Sequence, residues 1–69
     1  MIQIRGLVKI GHEEPQFYQM SYLDTELVSG AYTNTTKDGS EDQLRFFMQE
    51  SGVAKDEINQ LFANVNRAR

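Results

Sequence analysis

Residues 39–52 read GSEDQLRFFMQESG, and within them the spacing of apolar side chains changes from two to three and four. Leu44, Phe47 and Met48 fall at i, i+3 and i+4, the stripe of a helix that buries one side. Ser40 stands three residues ahead of Gln43, the S-x-x-Q arrangement of a capping box. The first amides of a helix have no partner within it, and these two side chains supply acceptors for them. Glu41 and Asp42 fall in the first turn, where carboxylates meet the positive end of the helix dipole. Gly52 has no Cβ to oppose the left-handed conformation that ends a helix. The stretch predicts a helix over 41–51.

Toward the C-terminus, Ile58, Leu61, Phe62 and Val65 recur at i, i+3, i+4 and i+7, predicting a second helix over 55–67. Asp56 and Glu57 open it and Arg67 closes it, both in keeping with the dipole. A link this short between two helices makes an antiparallel hairpin.

Toward the N-terminus the period is two. IQIRGLVKI predicts a strand over 2–10, with Ile2, Ile4, Val8 and Ile10 on one face and Gln3, Arg5 and Lys9 on the other. Gly11 and Pro15 punctuate the GHEEP that follows. A second strand is predicted over 16–23, and here two faces compete. Tyr18, Met20 and Tyr22 form one stripe, Phe17 and Leu23 the other, and alternation does not choose between them. LVSGAYTNT predicts a third strand over 27–35, interrupted by Gly30. Short connections favour a meander. The expected fold is α+β: a three-stranded antiparallel sheet followed by two antiparallel helices on one face, as a single domain over 1–69. Its core would draw Ile2, Ile4, Val8 and Ile10 from the sheet, and Leu44, Phe47, Ile58, Leu61, Phe62 and Val65 from the helices.

Composition excludes several functions. The 69 residues contain no cysteine, so disulfides and thiolate metal sites are absent. A 39% hydrophobic and 25% charged chain fits an ordinary globular domain. No apolar run approaches the ~20 residues of a membrane span. The alternating MIQIRGLVKIG lacks the continuous apolar segment of a signal peptide, so the expectation is a cytoplasmic protein. A net charge of −3 argues against a nucleic-acid backbone as the direct ligand.

Asp38, Ser40 and Asp42 alternate as the oxygen donors of a calcium loop do, but the pattern then fails. Counting from Asp38, Gln43 stands where glycine is required and Gln49 where a bidentate glutamate is required. No metal or cofactor is expected. Catalysis has little to draw on: His12 is the single histidine, and no serine sits in a nucleophile elbow. So small a domain is also expected to lack a pocket of ~300 Å³ or more. The chain is not expected to be an enzyme.

What remains is surface. Asp38, Glu41 and Asp42 would form a compact negative patch around the helix start, suited to a basic surface on another protein. Glu13 and Glu14 add carboxylates in the first connection. Phe46 lies about 200° around the helix from Leu44, away from the buried stripe, and an exposed aromatic there would anchor an interface. If Phe17 and Leu23 face the core, Tyr18 and Tyr22 line an open sheet face and serve the same end, or stack bases.

From Gly39 to the last residue, the layout is similar to that of small phage-encoded anti-CRISPR proteins that place a sheet before two helices. The features that carry the likeness are Ser40, Glu41, Gln43 and Leu44 opening the first helix, the aromatic Phe47 and a glycine-containing link. Ile58, Asn64 and Arg67 in the closing helix complete it. The strands offer no comparable match, and the link is shorter than that layout has. The resemblance implies an inhibitor that occupies a nucleic-acid-binding surface of a CRISPR effector, and it assigns no individual residue. The expectation is therefore a non-enzymatic protein-binding module with a protein partner. A nucleic-acid-binding or regulatory module using the sheet face, or a structural accessory subunit, is the alternative.

Overall fold

The computed structural model describes residues 2–11, 13, 16–24 and 34–67. Three strands, β1 (Ile2–Ile10), β2 (Phe17–Asp24) and β3 (Asn34–Gly39), precede two helices, α1 (Glu41–Glu50) and α2 (Lys55–Arg67). The sheet is antiparallel in the order β1-β2-β3, so β2 is central. Both helices lie on one face, α1 over β2 and β3 and α2 over β1. This is the expected α+β fold.

The helices stand where their caps put them. Ser40 is extended (φ −72°, ψ 168°), and its Oγ accepts the Gln43 amide at 3.3 Å. The Gln43 Oε1 accepts the Ser40 amide in return at 3.0 Å. At the far end Gly52 adopts φ +91°, which lets the Gly52 amide reach the Gln49 carbonyl at 3.2 Å and the Val53 amide reach Met48 at 2.9 Å. That pair of bonds is a Schellman motif, and Val53 tucks against the core beneath it. α2 starts less well. The Ala54 carbonyl accepts the first helical bond, from Ile58 at 3.0 Å, but its methyl offers nothing to the free amides that follow.

The third strand departs from expectation. Residues 27–33 lie outside the described residues, and the observed strand runs through Thr36, Lys37 and Asp38 to Gly39, directly into the cap of α1. Lys, Asp and Gly are poor strand formers, so local propensity gives no signal. Pairing with β2 decides instead, with Ser21 opposite Thr36 and Tyr18 opposite Gly39.

The face of β1 is also partly reversed. Ile4 pairs with Tyr22 but Gly6 pairs with Ser21, leaving Arg5 as an extra residue in a bulge. One extra residue inverts the alternation for everything that follows. Leu7 therefore turns inward opposite Met20, while Val8 and Ile10, expected in the core, face outward. They are 53% and 38% exposed.

β2 resolves its ambiguity in favour of the even positions. Tyr18 and Met20 are buried with Leu44, Met48, Ile58 and Phe62, and Tyr22 packs against this cluster. Ile2, Ile4, Leu7, Phe47, Leu61 and Val65 complete the core. Among the described residues no helix is long and apolar enough to cross a membrane.

The bulge has a direct consequence. Leu7→Ala should destabilise the fold by about 2 kcal/mol, and Val8→Ala by well under 1 kcal/mol, in urea unfolding. Equal losses would contradict the inversion. Ala54→Ser, which completes an S-x-x-E box with Glu57, should stabilise by about 1 kcal/mol with no change in the denaturant slope.

Candidate functional site

The switch from β3 to α1 distributes the acidic residues. Asp38 is the last residue before Gly39 and belongs to the strand; it pairs with Gln19 and so faces the side of the sheet away from the helices. Glu41 and Asp42 begin the helix on the other side of that turn. The Glu41 carboxylate accepts the Arg45 Nε at 2.8 Å, one helical turn on, and is engaged within its own helix. The expected single patch of Asp38, Glu41 and Asp42 is thus divided between two concavities.

The first is an open groove of about 420 Å³ between β3 and α1, lined by Lys37, Asp38, Gln43, Phe46, Phe47 and Glu50. The expectation that this domain has no space of ~300 Å³ is corrected by it: a helix laid beside an edge strand leaves a trough along the edge. Gln43, Phe46, Phe47 and Glu50 fall at i, i+3, i+4 and i+7, so a single stripe of α1 forms one wall. Phe47 turns inward to meet Tyr22 at 5.4 Å between ring centroids. Phe46 turns outward and is 65% exposed. Lys37 Nζ sits 5.0 Å from the centre of the Phe47 ring, a cation–π contact that holds the one cation of the groove against its floor. Glu50 remains on the α1 wall with the exposed Phe46 ring, and Asp38 borders the groove from the edge strand, on the side of β3 that faces away from the helices.

The second concavity, about 380 Å³, lies at the start of α1 and is lined by Gln16, Tyr18, Ser40, Glu41 and Asp42. Glu13 is exposed in the β1–β2 connection and lines neither space, and Glu14 lies outside the described residues. Among the described residues no group of three or more His, Asp or Glu is placed to hold a metal ion.

Tyr18 and Tyr22 do not line the open face of the sheet, where they are expected if Phe17 and Leu23 face the core. Tyr18 is 3% exposed, meets the Phe62 ring edge-on at 5.2 Å and 82°, and donates its hydroxyl to Asn66 Oδ1 at 2.8 Å. Tyr22 is half-buried against Phe47. A buried phenol needs a hydrogen-bond partner and α2 supplies one, so the tyrosine stripe is the inner face. The residues that take its place on the outer face are Val8, Ile10 and Phe17. Two groove residues have a signal in the sequence beyond the cap role of Gln43: Gln43 and Glu50 stand three residues before and four after Phe46, on the same helical stripe.

Set against family models, curated proteins and solved structures, the chain matches none. The groove offers carboxylates, an amide and aromatic surface, the groups that recognise cationic and apolar side chains.

Gly39 couples the groove to the helix cap. A Cβ there would lie 2.9 Å from Gln43 Oε1, the atom that accepts the Ser40 amide. Gly39→Ala should therefore cost about 1 kcal/mol by displacing that acceptor. In a Gln43→Ala background most of this cost should vanish, a coupling that a double-mutant cycle in urea would read. Full additivity would mean that the cap is not what Gly39 protects.

Proposed function

We propose that this protein is a non-catalytic binding module that docks its β3–α1 groove on a basic surface of another protein. The observation that carries this is Phe46, 65% exposed within a groove whose rim holds Asp38 and Glu50. An exposed aromatic flanked by carboxylates suits an interface in which the ring is desolvated and the charges steer the approach. In its more specific form the partner is a nucleic-acid-binding effector of a CRISPR system, whose basic surface the module occupies in place of nucleic acid. Support for that form comes from the likeness in layout of residues 39–69 to small anti-CRISPR proteins. Glu41, being paired with Arg45, contributes to the field around α1 and not to a direct contact. Direct nucleic-acid binding by the sheet has less support, because Tyr18 and Tyr22 lie beneath the helices and the outer face offers apolar side chains instead.

The test is capture of partners by the tagged protein from a nuclease-treated lysate of its host, followed by affinity measurement with the purified partner. A stoichiometric nucleic-acid-binding protein that elutes with salt is expected. Phe46→Ala should weaken its binding about tenfold or more. Asp38→Lys with Glu50→Lys should slow association and flatten the salt dependence. A partner held equally well by all three forms would remove the groove from the account. Partners that vanish with nuclease would favour direct nucleic-acid binding.

A further inference from the structure

At its C-terminal end α1 breaks the charge rule that α2 keeps. α2 closes on Arg67, a cation at the negative end of the helix dipole. α1 has no basic residue in its last turn and places Glu50 there, so a carboxylate adds to the negative end of the dipole. Among the described residues the ion pair on α1 is that of Glu41 with Arg45, and Glu50 has none. Lys37, the cation that shares the groove with Glu50, lies instead on the Phe47 ring, its Nζ 5.0 Å from the ring centre. The groove therefore holds an uncompensated negative site beside a ring that already carries a cation.

The same helix shows what a ring and a carboxylate together accept. Arg45 lies 4.8 Å from the centre of the Phe62 ring. It donates its Nε to Glu41 and its Nη1 to Asn59, each at 2.8 Å. A guanidinium is flat, so it stacks on a ring with its face and donates with its edge at the same time. An ammonium is a compact, strongly hydrated point charge without that second capability. Phe47 and Glu50 stand three residues apart, neighbours on one face of α1, so one planar cation can meet both.

We infer that Phe47 and Glu50 form a subsite for an arginine side chain of the partner protein, and that Lys37 is its placeholder in the free chain. The inference rests on the groove being the docking surface. On docking, the partner's guanidinium displaces the Lys37 ammonium from the ring, stacks there and donates to the Glu50 carboxylate, while Lys37 turns to water. The contact given up is an exposed cation–π pair, and the contact formed adds a charge-assisted hydrogen bond. The exchange makes the groove prefer arginine to lysine, a distinction that charge steering alone does not make.

NMR titration of the full chain with acetyl-Arg-Leu-Arg-Leu-Arg-amide and with its lysine counterpart tests this. In the free chain the Lys37 Cε protons should lie upfield, shielded by the Phe47 ring. Saturation with the arginine peptide should return them to their ordinary position. That peptide should bind about threefold or more tighter than the lysine peptide. Lys37→Met, which clears the ring, should tighten it about threefold further, and Lys37→Arg, a better-fitting occupant, should weaken it by about as much. Glu50→Gln should leave the two peptides nearly equal. Lys37 and Glu50 are both exposed, so these variants should leave the circular dichroism unchanged. Peptides that lose affinity with Phe46→Ala yet ignore the Lys37 and Glu50 changes overturn the subsite and leave the groove as the docking surface. Peptides that shift no groove resonance, or that bind Phe46→Ala as well as the native chain, overturn both.

Discussion

The ring of Phe62 is where β2, α1 and α2 meet, and much of the structure follows from what surrounds it. Phe62 is 1% exposed, with Tyr18 edge-on at 5.2 Å and the Arg45 guanidinium 4.8 Å from its centre. Each neighbour is tied down in turn. Tyr18 donates to Asn66 on α2, and Arg45 donates to Glu41 on α1 and to Asn59 on α2, each at 2.8 Å. Arginine suits this place because its planar group can stack on an aromatic face while its edge makes hydrogen bonds. With Tyr18 fixed inward, alternation commits the rest of β2: Met20 and Tyr22 go in, and Phe17, Gln19, Ser21 and Leu23 go out. The choice favours the residue that needs a polar partner at depth, since Phe17 has no hydroxyl to satisfy.

The bulge at Arg5 is the counterpart of that choice on β1. Ile4 and Leu7 both pack toward the helices, and an odd separation of three forbids it in a regular strand. An extra residue restores it. The cost is paid downstream, where Val8 and Ile10 are turned to the outside. Two strong strand-formers are thus kept for pairing with β2 rather than for burial, and the apolar outer patch is the direct result of a packing demand on the inner one.

The helices are legible for different reasons: α1 carries its own punctuation, Ser40 and Gln43 at one end and Gly52 at the other, and α2 an unbroken i, i+3, i+4, i+7 stripe from Ile58 to Val65. The strands are less so. β1 is legible up to Ile4, and the inversion beyond it is marked only by Gly6 within a β-branched run and by the Leu7–Val8 doublet. β3 could not be read locally, since Lys37, Asp38 and Gly39 form a strand only because β2 pairs with them. The acidic site suffered from the same blindness. Asp38, Glu41 and Asp42 are close in sequence, but a strand-to-helix turn lies between them, and nearness along a chain does not survive such a turn. Phe46 was legible because its helical angle alone sends it outward.

The edges of the sheet constrain how its open face can be used. Unpaired strand edges invite open-ended addition of further strands, and both edges here are guarded. β1 carries the bulge and the exposed Arg5, which twist and charge its edge; β3 is short, polar and ends at Gly39, with Lys37 and Asp38 exposed on it. A face differs from an edge in kind: it presents side chains and no free backbone groups, so the apolar residues exposed there, Val8, Ile10 and Phe17, do not template the addition of further strands.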